Sequence, residues 1–222
     1  MKPAYDAVAV LTSGGLDSAI LVADLARQSK RCVPIYLRAG LRWETVERAH
    51  LERYLTAIGA GLPSLAPLVT LEQPVQDLYG DHWSLTGLAV PDAATPDEAV
   101  YLPGRNLLLT LKVLLWGHLH GVKTLALGVL GSNPFSDASA AFFDRFAAVV
   151  GAGVGDPELR IIRPYGELHK AEVMRRGVGL PLEWSFSCIQ PQGGRHCGRC
   201  NKCAERQAAF RDAGMPDPTE YA

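Results

Sequence analysis

Ser13-Gly-Gly-Leu-Asp-Ser18 constrains this chain more than any other stretch. An apolar run, Ala7-Val-Ala-Val-Leu11, precedes it, and Ala19-Ile-Leu-Val-Ala-Asp-Leu25 follows. That order predicts a strand, a glycine turn and a helix. Two glycines let the backbone turn sharply because no Cβ stands in the way. Amide N–H groups then converge on the start of the helix, where the helix dipole favours an anion. The hydroxyls of Ser13 and Ser18 add further donors. The loop suits phosphate and points to a nucleotide enzyme; the plain alternative is an ordinary glycine-rich turn.

The loop is not the familiar G-x-x-x-x-G-K pattern, since no lysine follows the glycines. The order S-G-G-x-D-S resembles the PP-loop of the ATP pyrophosphatases. Those enzymes cleave ATP between its α and β phosphates and adenylate a substrate.

A second signal lies near the other end. Cys188, Cys197, Cys200 and Cys203 form C-x8-C-x2-C-x2-C. Four thiolates at this spacing suit tetrahedral zinc, and a four-cysteine set leaves no open position for substrate, so the ion is expected to be structural. Disulfides compete, but the chain shows no signal-peptide pattern and intracellular thiols stay reduced. An iron–sulfur cluster and His196 as a substitute ligand remain open. Arg195, Arg199 and Lys202 are placed to soften the thiolate charge. Cys32 lies in Cys32-Val-Pro-Ile-Tyr-Leu37 and reads as a buried strand residue.

Strand and helix patterns alternate along the 222 residues. Strands are expected at residues 4–11, 32–37, 67–71 and 124–129. Helices are expected at 18–29, 44–58, 107–120 and 141–150, and another is expected to begin at Lys170. The 107–120 segment is apolar nearly all round, which predicts burial. The alternation indicates an α/β fold with a doubly wound parallel sheet, whose ligands bind at the carboxyl ends of the strands. Residues 87–98, rich in Pro, Ala and Asp, read as a mobile stretch and a candidate lid, with closure over substrate left open. A net charge of −1 gives no global basic field for nucleic acid or a membrane. A cytoplasmic location is expected.

Further motifs stand between the two anchors. Tyr101-Leu-Pro-Gly-Arg-Asn106 is similar to a Y-x-P-G-R-N segment, and His169-Lys-Ala-Glu172 to an S-K-A-E segment, of the 7-cyano-7-deazaguanine synthase family. Ser187-Cys188, His196-Cys-Gly-Arg-Cys-Asn-Lys-Cys203 and the tail from Phe210 to Thr219 resemble the same family. The likeness spans almost the whole chain. It implies an adenine nucleotide alpha hydrolase-like PP-loop domain over residues 1–185, with a zinc-bound segment over 186–222 packed on it. It implies an ATP-dependent ligase that converts 7-carboxy-7-deazaguanine to the nitrile with ammonia, releasing AMP and pyrophosphate, and a homodimer. By this likeness Leu11, Thr12, Ser13, Gly14, Gly15, Leu16, Asp17, Ser18 and Lys170 bind ATP. Asp17, Lys170 and Arg105 carry the chemistry, and Mg²⁺ accompanies ATP, with Asp17 a candidate to hold it. Arg42, Arg105, Asn106 and Asp137 are the candidate substrate residues.

Each assignment has a structural alternative. Asp17 suits a helix N-terminus, Lys170 a solvated helix start and Asn106 the cap of the next helix. Arg42 suits an exposed loop. The loop after the fourth strand departs from the family pattern, lacking its cysteine-arginine pair, and Leu37 or Arg38 replaces an aspartate. These departures leave room for a paralogue with a related acceptor. A tRNA-thiolating PP-loop enzyme and a non-catalytic nucleotide-binding module are the rival readings. Near-neutral charge disfavours the first, and the Lys170 and Arg105 motifs disfavour the second.

Overall fold

The computed structural model describes residues 4–222. Its strands are β1 (Tyr5–Leu11), β2 (Ser29–Arg38), β3 (Val69–Glu72), β4 (Thr124–Ala126) and β5 (Arg160–Ile162). The helices are α1 (Leu16–Gln28), α2 (Glu44–Gly59), the single turns α3 (Gln76–Tyr79) and α4 (Trp83–Thr86), then α5 (Arg105–Leu119), α6 (Ala140–Val154), α7 (Lys170–Arg176) and α8 (Asn201–Asp212). The strands pair in parallel in the order β3-β2-β1-β4-β5.

Side chains alternate across the sheet. Val8 and Val10 face a layer formed by α1, α2, α7 and α8, whereas Ala9 faces α5 and α6. Both faces are therefore covered, as the apolar β2 and β4 require. The chain runs outward from β1 to β2 and β3, then returns to place β4 on the other side of β1. Direction switches at β1, so a crevice opens at the carboxyl ends of β1 and β4. Ile20, Leu21 and Val22 of α1 are fully buried. Each such side chain contributes roughly 1.5–3 kcal/mol, and together they hold the helix that follows the glycine loop.

Three expectations need correction. Helix α5 is not buried all round: Val113 and Leu114 face the core, but Leu107, Leu111, Leu115 and Leu119 are 39%, 39%, 36% and 77% exposed. One face meets the sheet, and a row at every fourth position turns outward. Residues 87–98 are fastened to the cysteine segment instead of standing free. The Asn201 amide donates to Pro91 O at 3.0 Å, Ala93 N donates to Arg199 O at 3.1 Å, and Asn201 Nδ2 donates to Thr95 O at 2.8 Å. Asn106 does not cap α5. Gly104, in the left-handed region at φ 76°, holds the cap position, and the Asp137 carboxylate accepts from Asn106 N at 3.3 Å.

Helix α8 and strand β5 stand where the sequence pattern predicts neither a helix nor a strand. The buried face of α8 carries Asn201, Cys203 and Arg206 beside Ala209 and Phe210, so it shows no apolar stripe. Among the described residues, no helix is long and apolar enough to cross a membrane.

Candidate active site

The glycine loop connects the buried end of β1 to α1. Thr12 N donates to Ile35 O at 2.8 Å, which ties the loop to β2. Gly14 takes φ +84°, a conformation side chains resist. Its carbonyl accepts from Phe186 N at 2.7 Å, so the cysteine segment braces the turn. Ser18 Oγ donates to Gly15 O at 3.0 Å, and the Ser13 and Ser18 hydroxyls lie 3.3 Å apart. Gly15 at the N-cap has no side chain to offer the first amides of α1. Those donors suit an anionic ligand.

A cavity of about 350 Å³ opens over this loop, at the carboxyl ends of β1, β2 and β4. Leu11, Thr12, Ser13, Gly15, Leu16, Asp17 and Ser18 line it, as do Arg105, Asn106 and Lys170. Lys170 Nζ donates to both oxygens of Asp17, at 2.8 and 2.7 Å. Gly128 allows the close approach of the β4 loop: a Cβ there would stand 3.2 Å from the Asp17 carbonyl carbon. Two expected residues, the exposed Arg42 and the buried Asp137, do not line the cavity. Arg42 packs beside Gly87, where its Nε is 3.1 Å from the place of a Cβ. Asp137 is buried and bound to Asn106, whose Nδ2 donates to Asp137 Oδ1 at 3.1 Å.

Other wall residues carried no sequence signal. Tyr36, Glu44 and Glu47 come from the β2 side. The Glu44 carboxylate accepts from the Ala39 and Gly40 amides and closes the β2–α2 turn. Tyr36 OH donates to Glu47 Oε2 at 2.7 Å. Burial pushes the Glu47 carboxyl up to about 8, against the opposing pull of the Tyr36 hydrogen bond and the Arg105 guanidinium. Arg105 Nε is buried with no partner, so the guanidinium keeps donor capacity for a ligand.

The cysteine segment supplies the remaining wall with Ser187, Lys202, Glu205 and Arg206. Arg206 is 1% exposed and donates to Leu182 O and Ser185 Oγ, both at 2.9 Å, and to Thr219 Oγ1 at 2.6 Å. Lys202 does not turn to the thiols; its Nζ pairs with Glu205 Oε2 at 2.6 Å.

The four cysteines are buried, and none is disulfide-bonded. Their sulfurs lie within 4.8 Å of one another, with Cys188–Cys200 and Cys197–Cys203 both at 3.9 Å. Tetrahedral Zn–S bonds of about 2.3 Å would set sulfurs about 3.8 Å apart, so the cage fits such an ion. Amides of Gln190 and Cys197 donate to Cys188 Sγ at 3.3 Å, which favours thiolate. His196 stands outside the cage. Its Nε2 accepts from Ser187 N at 3.2 Å, and burial lowers its pKa to about 3, so the ring is neutral.

A family model described as queuosine biosynthesis protein QueC matches residues 7–214. A 7-cyano-7-deazaguanine synthase of Thiobacillus denitrificans is 32% identical, covering 100% of this chain and 100% of that protein. The synthase of Nitrosococcus oceani is 31% identical, covering 96% of each. Among solved structures, the U34-tRNA thiolase NcsA of Methanococcus maripaludis superposes with a TM-score of 0.48 at 13% identity, covering 93% of this chain and 67% of that one.

Proposed function

The chain belongs to the queuosine biosynthesis protein QueC family, and from that premise we propose that it converts 7-carboxy-7-deazaguanine to 7-cyano-7-deazaguanine at the expense of ATP. The observation that carries this reading is the convergence of the Ser13–Ser18 loop, the Asp17–Lys170 pair and Arg105 on one cavity.

The acid's carboxylate oxygen bonds to the α-phosphorus of ATP, and the bond to pyrophosphate breaks with its electron pair. Loop amides, the Ser13 and Ser18 hydroxyls and Lys170 take up the charge that develops on the departing phosphates. Ammonia attacks the acyl carbon, loses a proton and expels AMP, giving the amide. The amide oxygen then bonds to the α-phosphorus of a second ATP, again releasing pyrophosphate. Loss of AMP and the remaining N–H protons leaves the nitrile. Arg105, with its free donor capacity, steadies the anionic α-phosphate.

Asp17 is the carboxylate nearest the loop and fits a Mg²⁺ that takes most of its oxygens from phosphates and water; such an ion would neutralise phosphate charge. The four-cysteine cage fits structural zinc. In this reading residues 1–185 bind ATP and 186–222 form a metal-bound clamp, in a cytoplasmic homodimer. Asp137 is committed to capping α5, which favours an acceptor site that differs in detail from the family pattern.

The test is pyrophosphate release from ATP and Mg²⁺, with and without the deazaguanine acid and ammonia, followed by product mass. AMP, pyrophosphate and the nitrile are expected. Pyrophosphate release that the acid does not stimulate would overturn the assignment of substrate.

A further inference from the structure

A second, smaller cleft of about 190 Å³ adjoins the main cavity. The two share Asp17, Gly128, Val129, Asn133, Lys202 and Glu205, so they form one continuous space with a main lobe and a side lobe. The side lobe lies between the loop 128–135 and the first turn of α8. Ser13, Ser18 and Lys170 line only the main lobe; Asp17 stands at the junction.

We propose that the side lobe is the acceptor compartment, in which Lys202 holds the carboxylate of the deazaguanine acid beside Asp17 and Glu205 accepts from the N–H groups of its ring. This rests on the synthase reading above. In phosphoryl and adenylyl transfer the attacking and leaving oxygens lie roughly in line. Pyrophosphate leaves toward the Ser13–Ser18 loop and Lys170, so the carboxylate must arrive from the side away from them. The side lobe is the part of this space that Ser13, Ser18 and Lys170 do not line, with Asp17 between the two.

Its chemistry matches a planar, polar anion. Lys202 is the cation among its lining residues, and Glu205 is the matching acceptor. Their ion pair is 30% and 43% exposed, and pairs this open are weak. An entering carboxylate therefore displaces Glu205 from Lys202, which frees Glu205 for N–H donors. Ser132 and Asn133 add polar groups to the opposite wall. Phe135 ends that wall, its ring stacked on Tyr101 with centroids 4.5 Å apart. Lys202 also lies between Cys200 and Cys203 in sequence, so the cysteine cage fixes the backbone that presents it.

The experiment is steady-state kinetics on the full chain, with ATP and the acid varied separately, for wild type, Lys202→Met, Lys202→Arg and Glu205→Gln. Bound metal is measured on each as a check of the fold. Lys202→Met is expected to raise KM for the acid about tenfold or more, the loss of a charged hydrogen bond. KM for ATP should stay within about twofold, and Lys202→Arg should recover most of the loss. Glu205→Gln should also raise KM for the acid, which keeps the test in force if Lys202→Met fails to fold. Unchanged acid KM in these variants, or a rise in ATP KM instead, would overturn the compartment. A wild type that turns over no deazaguanine acid would defeat the synthase reading and the compartment with it. Turnover by wild type with indifferent variants would defeat the compartment alone.

Discussion

Lys170 at the start of α7 and Asp17 in the first turn of α1 form a two-pronged ion pair across the mouth of the phosphate loop, at 2.8 and 2.7 Å. Each neutralises the other in this structure; in the proposed reaction the Lys170 ammonium turns to the leaving phosphate. Lys170→Met is expected to fold as wild type and lose about a hundredfold or more in ATP-dependent turnover, the scale of removing one preorganised donor. Pyrophosphate assays with a parallel thermal melt check this. Full turnover in the variant would remove Lys170 from the phosphate site.

Glu47 gives the apo protein a pH signature. Its folded-state pKa, raised by burial to about 8, lies above that of an exposed glutamate. The fold therefore prefers the protonated form. Its contribution is fully present below the unfolded-state pKa of about 4.3 and is lost as pH rises toward 8. Glu47→Gln should flatten this slope and gain on wild type by on the order of 2–4 kcal/mol at pH 9. Urea denaturation at pH 6 and pH 9 measures it; parallel changes in both proteins would contradict it.

Asp137, a candidate substrate residue by sequence, accepts hydrogen bonds from Asn106 N and Nδ2 at the start of α5. Asp137→Ala should cost about 1 kcal/mol, as for a lost helix cap, and lower Tm by about 2–4 °C. Calorimetry combined with kinetics decides the role. A large rise in acid KM at unchanged Tm would restore Asp137 to the substrate site.

Removal of one cysteine tests the cage. Cys200→Ala should lose bound zinc and most soluble yield, because structural zinc contributes about 10–16 kcal/mol to small units of this kind. Metal analysis and circular dichroism provide the readout. A soluble, folded and metal-free variant would show the segment holds without the ion.

Features whose chemistry is local in sequence were readable before the fold was known. The glycine loop needs adjacent residues, and the cysteine cage needs knuckle spacing, so both appear as short patterns. Lys170 was legible through its flanking motif, although its partner lies 153 positions away. The remaining walls were not legible. Tyr36 and Glu47 meet because β2 ends where α2 begins to pack, and Lys202 and Glu205 reach the cavity only through the docking of α8. That helix carries no apolar stripe in the sequence because Arg206 and Asn201 occupy its buried face, where hydrogen bonds rather than apolar contacts make burial tolerable. The converse holds in α5, where a continuous apolar pattern hides a row of outward leucines.

The bond from Phe186 N to Gly14 O joins two sites that do different jobs. Whatever stiffens the cysteine cage also restrains the glycine turn proposed to hold phosphate, and whatever fills that turn restrains the cage. Coupling of this kind is reciprocal by thermodynamic necessity. Nucleotide should tighten binding of a metal in the cage by the same free energy with which that metal tightens binding of nucleotide. A metal held in that cage, remote from the glycine turn, is thus expected to tune how firmly the proposed nucleotide site closes on its ligand.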